Sequence, residues 1–182
     1  MSDTGFRSIG FIGLGVMGEP MCRNLARKTG LPVTGLDRDP APLARLAADG
    51  VRTGTSAGAL ARDCDLVFLS LPSGEVVDQV ARAPDGLLAQ ARAGLVIVDL
   101  STSDVAMTRA LAADFARRGT VFIDAPVART RAAAEAGTLS VMVGAEPADF
   151  ERVRPLIAAF ASDISLCGPV GCGQVVKILN NM

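Results

Sequence analysis

A glycine-rich segment near the N-terminus constrains the fold of this chain more than any other feature. Gly13, Gly15 and Gly18 form the pattern G-x-G-x-x-G between a short apolar run and an amphipathic segment, Glu19 to Lys28. A strand, a tight turn and a helix in this order are the context in which such a pattern binds a dinucleotide. The glycines then permit the turn, the approach of a pyrophosphate to backbone amides, and close packing of the helix on the strand.

An acidic residue at the expected interval strengthens this interpretation. Asp37 ends a second apolar run, Val33 to Leu36, where a carboxylate can accept hydrogen bonds from the adenosine ribose hydroxyls. The alternative is a glycine turn in another α/β sheet with Asp37 solvated. Because Asp37 repels a 2′-phosphate, we expect NAD as the cofactor, with NADP less favoured; Arg38 could stack on adenine or tolerate NADP.

Composition excludes several classes of protein. A net charge of −1 and the absence of Trp and Tyr argue against a nucleic-acid partner, and no apolar run has the length of a membrane span. The absence of histidine excludes a histidine base and histidine metal ligands, and we predict no metal site. The N-terminus lacks an apolar signal region, and the four scattered cysteines fit reduced thiols, so a cytoplasmic location is expected.

Apolar runs alternate with helical patterns along the whole chain. This alternation predicts an α/β fold of the Rossmann type, with a doubly wound, mainly parallel sheet. The predicted strands are Ser8–Gly13, Val33–Asp37, Val51–Thr53, Leu66–Leu71, Leu95–Asp99, Val121–Asp124, Leu139–Val143 and Ile164–Cys167. The predicted helices are Met17–Lys28, Pro40–Asp49, Ser56–Arg62, Gly74–Ala81, Asp104–Arg118 and Pro147–Phe160.

The last residues predict the start of a further helix. Gly171 to Met182 is amphipathic and carries neither a C-cap glycine nor a polar tail. We therefore expect a dinucleotide-binding domain over residues 1–168 and the start of an interdomain helix over 169–182. The chain is then expected to be a fragment that a further domain follows.

Candidate site residues follow the predicted strands, because ligands of open α/β sheets bind beyond the carboxyl ends of the strands. Pro72 lies in a turn that could border the cofactor. Ser101 and Thr102 can bond the nicotinamide side or a substrate oxygen, although this run can equally cap the next helix. Arg129 is placed to form two hydrogen bonds with an anionic group, the alternative being a surface arginine on an Ala-rich helix.

Lys177 is the expected acid for the reduction of a carbonyl, since the chain has no histidine. Asn181 lies four residues further on, so both side chains share one helix face, where Asn181 could hold the substrate. The alternative for the pair is a solvated lysine with a polar neighbour.

Several motifs, in order over the whole chain, resemble the β-hydroxyacid dehydrogenase family, which includes 3-hydroxyisobutyrate dehydrogenase and tartronate semialdehyde reductase. They are Phe11 to Met21, Asp99-Leu-Ser-Thr102, Asp124-Ala-Pro-Val127, Gly137-Thr-Leu139, Met142-Val-Gly144 and Gly171-x-Gly173-x-x-x-Lys177-x-x-Asn180-Asn181. The resemblance implies hydride transfer between NAD(P) and a hydroxyacid or its semialdehyde, with Lys177 handling the hydroxyl proton. It also implies that Asn180 and Asn181 position the substrate. By the same resemblance, the residues bordering the cofactor are Val16, Met17, Leu71 and Thr102.

The substrate loop departs from most of the family. Relatives read Pro-Val-Ser-Gly-Gly, whereas this chain has Pro126-Val-Ala-Arg-Thr130. A Pro-Val-Gly-Arg-Thr loop is similar to that of the sulfolactaldehyde reductases, although Ala128 departs from its glycine. We expect Arg129, with Thr130 beside it, to bind the anionic head of a small hydroxyacid, carboxylate or sulfonate.

Two alternatives to an oxidoreductase of this type remain. Some members of the family have lost the lysine and act as cofactor-binding interaction modules, and imine reductases replace the lysine with another acid such as Asp. The presence of Lys177 weighs against both. The resemblance further implies a homo-oligomer for the intact protein.

Overall fold

The computed structural model describes residues 4–180, which contain nine strands and eight α-helices besides two short 3-10 helices, at 47–49 and 88–90. The strands are β1 (Ile9–Ile12), β2 (Val33–Leu36), β3 (Arg52–Thr53), β4 (Leu66–Leu69), β5 (Val96–Asp99), β6 (Val121–Asp124), β7 (Val127–Ala128), β8 (Leu139–Gly144) and β9 (Ala161–Gly168). The helices are α1 (Gly18–Lys28), α2 (Pro40–Leu46), α3 (Ala57–Asp63), α4 (Gly74–Arg82), α5 (Val105–Ala116), α6 (Arg131–Ala136), α7 (Pro147–Ile157) and α8 (Cys172–Asn180).

The strands form one sheet that is mainly parallel. Its order begins β3-β2-β1-β4-β5-β6, and these six strands are parallel. Strand β8 is antiparallel to β6 and β7, and β9 pairs with β8 in parallel. The chain leaves β1 toward β2 and β3 and then returns to β4 on the other side of β1. The crevice between β1 and β4 is therefore the switch point at which such sheets bind ligands.

Alternate residues of the central strands face two different hydrophobic clusters. In β4, Leu66 and Phe68 join one cluster, whereas Val67 and Leu69 join the other. Side chains from α1, α2 and α7 complete the first cluster, and side chains from α3, α4 and α5 complete the second. Both faces of the sheet are thus covered by helices, as a parallel sheet requires, and the predicted Rossmann-type fold is confirmed.

The ends of the elements follow local chemistry. Asp104, a predicted cap at the start of a predicted helix, is the N-cap of α5, and its side chain accepts a hydrogen bond from the Met107 amide. The elements β7 and α6 are not among the predicted strands and helices. They contain two and six residues, and α6 is largely alanine, so neither presents the apolar periodicity on which prediction depends. Among the helices of residues 4–180, none combines the length and apolar character needed to span a membrane.

Candidate functional site

Two glycines of the glycine-rich turn are required by the fold itself. Gly13 has a φ of 93°, a left-handed conformation, and a Cβ there would overlap the carbonyl group of Ser70. A Cβ on Gly18 would overlap the carbonyl group of Gly13, because α1 packs directly on the turn that precedes it. A side chain at Gly13 would therefore push the turn away from the end of β4, and one at Gly18 would push α1 away from the turn.

Gly15 differs from these two glycines. Its φ is not positive, and a Cβ at Gly15 would have no atom of the protein within 4 Å. The fold can therefore accommodate a side chain at this position, whereas a ligand that approaches this face of the turn would need the space that glycine leaves. The N-cap of α1, Met17, makes no side-chain capping hydrogen bond, so the positive end of the helix faces the same open space. The turn is therefore suited to a pyrophosphate group.

Asp37 connects the end of β2 to this turn. Its Oδ2 accepts a hydrogen bond from the Leu14 amide at 2.6 Å, and its Oδ1 accepts one from the Asp39 amide at 2.8 Å. Two amides thus fix the carboxylate, which is only half-buried and keeps lone pairs for further donors. Arg38, beside it, is exposed.

A cleft of about 640 Å³ runs along this edge of the sheet. It contains nine of the residues that the sequence analysis assigned to the cofactor: Gly13, Gly15, Val16, Met17, Gly18, Asp37, Arg38, Leu71 and Pro72. Thr102, the tenth, is exposed and does not line it. Together with Gly15 and Asp37, the size and the mainly apolar lining fit a dinucleotide. Within residues 4–180, no group of three or more His, Cys, Asp or Glu side chains could hold a metal ion.

A buried carboxylate, Glu19, lies in the first turn of α1 and is neutralised by arginines. Arg45 contacts both of its oxygens, at 2.9 and 2.7 Å, and Arg23 contacts Oε1 at 2.8 Å. The hydrogen bond from Arg45 lowers the pKa of Glu19 to about 2, in spite of its burial. Because two guanidinium groups share this charge, Glu19 is compatible with an anion at the adjacent helix terminus.

The loop after β5 is held by a buried carboxylate that the sequence analysis overlooked as a functional group. Asp99 accepts hydrogen bonds from the Ser101 amide at 2.9 Å and the Ser103 hydroxyl at 3.2 Å. Burial raises the pKa of Asp99 to about 6. Ser101, predicted to bind substrate, is buried, and its Oγ accepts a hydrogen bond from the Leu71 amide at 2.9 Å. This loop is therefore tied to the wall of the cleft.

Asp124, at the end of β6, is another buried carboxylate, and it holds the start of α8. Its Oδ1 accepts a hydrogen bond from the Gly171 amide at 2.6 Å, and its Oδ2 accepts one from the Gln174 amide at 2.9 Å. Burial raises the pKa of Asp124, while these amide hydrogen bonds act in the opposite direction. A carboxylate from a distant strand thus caps the helix that carries Lys177.

The predicted substrate residues lie outside the lining of the cleft. Lys177 is half-buried and Asn180 is exposed, both on α8, while Asn181 falls outside the described residues. Arg129 has a φ of 91°, and its Nη1 donates to the Thr138 carbonyl at 3.0 Å. Thr130 is the N-cap of α6. The roles of these residues in substrate binding stay predictions.

Asp99, Asp124 and Gln174 are not among the site residues predicted from the sequence. Both aspartates close predicted strands at the carboxyl edge of the sheet, which is the signal that could have identified them. Gln174 gave no comparable signal, because a glutamine near the start of an amphipathic helix is usually solvated.

Comparisons with known proteins agree with this geometry. Residues 8–168 match the family model of the NAD binding domain of 6-phosphogluconate dehydrogenase. The chain is 41% identical over 174 residues to the 2-(hydroxymethyl)glutarate dehydrogenase of Eubacterium barkeri, covering 96% of this chain and 58% of that protein. It is 37% identical to the solved 3-hydroxyisobutyrate dehydrogenase of Mycobacterium tuberculosis with L-serine, at a TM-score of 0.89, covering 96% of this chain and 59% of that one.

A more distant likeness is to an imine reductase from a Pseudomonas species. It has 18% identity and a TM-score of 0.85, and it covers 96% of this chain and 60% of that chain. At this identity the likeness shows the fold alone. In each of these three comparisons, the present chain spans less than two thirds of the other protein.

Proposed function

Because this chain belongs to the family of the NAD binding domain of 6-phosphogluconate dehydrogenase, we propose that it forms the cofactor-binding part of an NAD(P)-dependent β-hydroxyacid dehydrogenase. The intact protein would interconvert a small anionic 3-hydroxyacid, or a hydroxysulfonate, and its semialdehyde. One observation carries this proposal. The helix of Lys177 begins at the carboxyl ends of β5 and β6, fixed by Asp124 and Gln174, beside the loop that is bonded to the cleft wall at Leu71.

Different residues of the chain would bind the cofactor, transfer the proton and hold the substrate. The open face at Gly15 and the first turn of α1 would receive the pyrophosphate, and Asp37 would accept from the ribose hydroxyls. A bound nicotinamide supplies or accepts a hydride. Lys177 would donate a proton to the oxygen of an aldehyde that becomes an alcohol, and would take that proton back in the reverse direction. Asn180 and Asn181 would hold the substrate.

The name of a relative supports a substrate with an anionic group. 2-(Hydroxymethyl)glutarate, for which the Eubacterium barkeri protein is named, carries a hydroxymethyl group next to one carboxylate and has a second carboxylate. L-Serine, present in the Mycobacterium tuberculosis structure, shares the hydroxymethyl group and the carboxylate. We propose Arg129, with Thr130 next to it in the chain, as the ligand of the substrate's anionic head, and Ser101 as a further substrate-binding residue.

A substrate screen of the intact protein tests the proposed function. The compounds are 2-(hydroxymethyl)glutarate, 3-hydroxyisobutyrate, L-serine, sulfolactaldehyde, the semialdehydes of tartronate and succinate, and a cyclic imine, each with NAD(H) and NADP(H). Turnover of at least one compound that depends on Lys177 is the expected result. Cofactor binding without turnover of any compound would contradict it and would indicate a binding module instead. Turnover of cyclic imines alone would indicate an imine reductase.

Cofactor choice is a separate prediction. The charge of Asp37 opposes a 2′-phosphate, so we expect a KM for NADPH about tenfold or more above that for NADH. The variant Asp37→Asn removes the charge and keeps an acceptor for the Leu14 amide, so it should narrow this ratio. Steady-state kinetics with both cofactors measure it. An equal KM for NADH and NADPH in the unmodified protein would remove the proposed preference for NAD.

The backbone at Arg129 provides a further prediction. A left-handed conformation costs an L-residue about 1–2 kcal/mol, and glycine avoids most of this cost. Arg129→Gly is therefore expected to raise the free energy of unfolding by about 1 kcal/mol, and to raise the substrate KM by about tenfold or more because the guanidinium is lost. Arg129→Ala is the matched control, since it removes the charge but keeps the strain. An unchanged KM in both variants would exclude the role in substrate binding.

A further inference from the structure

Gln174 is a fully buried amide at the start of a helix whose later residues are mostly exposed. Its side-chain Nε2 donates to the Ser101 carbonyl at 2.8 Å, and its Oε1 accepts from the Ser103 amide at 3.1 Å. Its backbone amide donates to Asp124 at 2.9 Å. A buried amide loses free energy unless its groups are paired, and here both ends of the side chain are paired with one loop.

Hydrogen bonds at the first turn fix the start of this helix, which also packs against β8 and β9. Asp124 accepts from two amides at the first turn, close to the helix axis. Gly173 lies so close to the carbonyl group of Met142 that a Cβ would overlap it. Hydrogen bonds at the helix terminus fix the position of its first turn, whereas a long side chain that is bonded to a neighbouring loop resists rotation of the helix about its axis. The side-chain amide of Gln174 makes such a contact.

Lys177 follows Gln174 by three residues. At about 100° per residue, its side chain lies only about 60° around the helix from that of Gln174 and one turn further on. The orientation of Gln174 therefore sets that of Lys177. Because Gln174 is bonded to the loop of Ser101, and the Ser101 hydroxyl to the Leu71 amide in the cleft wall, a short chain of hydrogen bonds joins the cleft to the helix of the lysine.

We propose that Gln174 is a positioning residue that fixes the rotation of α8 and thereby aims Lys177 at the nicotinamide end of the cleft. This inference rests on the proposed function, because the role of Gln174 is to place Lys177, and the role of Lys177 is part of that function. Gln174 itself contacts Ser101, Ser103 and Asp124 and does not line the cleft.

The test is a double-mutant cycle in the intact protein. Gln174→Met, which keeps length and volume, is expected to lower kcat by about 10- to 100-fold, the usual cost of a small misplacement, and to change the Kd for NADH by less than about twofold. In a Lys177→Met background, the same substitution should cause no further loss of kcat. Gln90→Met makes the same chemical change at an exposed site and should leave kcat unchanged. An unchanged kcat in Gln174→Met, or an additive loss in the double variant, would overturn the proposal.

Gln174→Glu provides a second variant of nearly identical shape. Its carboxyl group can donate to the Ser101 carbonyl only when it is protonated, so its kcat relative to the unmodified protein should rise as the pH falls. The carboxyls of Asp99 and Asp124 on the facing strands favour the protonated form, whereas Lys177 on the same helix and Arg109 on α5 oppose it. A kcat ratio independent of pH would count against the proposal.

Lys177→Met alone distinguishes a failure of the proposed function from a failure of the role of Gln174. If Lys177→Met keeps full activity, the proposed role of the lysine is wrong, whatever the result for Gln174.

Discussion

Replacing Lys177 with methionine in the intact protein is expected to lower kcat by about 10³-fold, while the Kd for NADH changes by less than about twofold. Methionine keeps the apolar stem of the side chain but cannot donate or accept a proton at its end. The contacts of Asp124 and Gln174 that hold the start of α8 do not involve the lysine side chain, so the helix should stay in place. Steady-state kinetics and calorimetric titration with NADH measure the two quantities.

The chain offers a matched control for this substitution, because its sequence contains one other lysine, Lys28. Lys28 lies at the end of α1, does not line the cleft, and donates to the Ala159 carbonyl at 2.9 Å. Lys28→Met should lower the free energy of unfolding by about 1 kcal/mol and leave kcat unchanged. Comparable activity in the two variants would show that Lys177 does not handle the proton.

Gly15→Ala is expected to raise the Kd for NADH by about 100-fold without destabilising the fold. A methyl group at Gly15 meets no atom of the protein, but it would occupy the face of the turn that a pyrophosphate approaches. The loss of one or two charge-assisted hydrogen bonds corresponds to about 2.7 kcal/mol, which gives this factor. Calorimetric titration measures the Kd, and thermal unfolding of the free protein measures the stability.

Gly18→Ala is the control, because it makes the same chemical change three residues further along the chain. There the methyl group would overlap the Gly13 carbonyl, so this variant should lose about 2–3 kcal/mol of stability even without a cofactor. The two alanines should thus separate a glycine needed for the ligand from a glycine needed for the fold. Tight NADH binding by Gly15→Ala would show that the pyrophosphate does not use this turn.

Most of the fold could be predicted from the sequence because its signals are local and strong. The alternation of apolar runs and amphipathic segments placed β1, β2 and β4 to β6 to within a few residues, and the Rossmann-type topology is confirmed. The resemblance to the β-hydroxyacid dehydrogenases is confirmed by the relatives. The short elements β7 and α6 could not be predicted, since two strand residues and a run of alanines have no pattern of their own and are held by contacts with β8 and α1.

Some residues of the candidate site could likewise be predicted from the sequence, and others could not. Nine of the ten residues assigned to the cofactor line one cleft, a grouping that could be predicted because they lie at or follow the ends of predicted strands, while their contacts with a cofactor stay predictions. The contacts that hold α8 could not, because the strand-end position of Asp124 does not reveal its partner, the Gln174 amide, which lies 50 residues further along the chain. Gln174 itself leaves no local pattern. The expected domain boundary, the oligomeric state and the cytoplasmic location stay predictions.

Under the proposed function, Asp37 would have two roles: it would select the nucleotide, and it holds the loop at Leu14 through a hydrogen bond from the Leu14 amide. Exchange of Asp37 for a small residue without a side-chain acceptor, such as glycine or alanine, would also remove the hydrogen bond that holds the loop at Leu14. Protein engineers who wish to switch the coenzyme will therefore need to redesign the loop and the acidic position as one unit, and natural selection faces the same coupling.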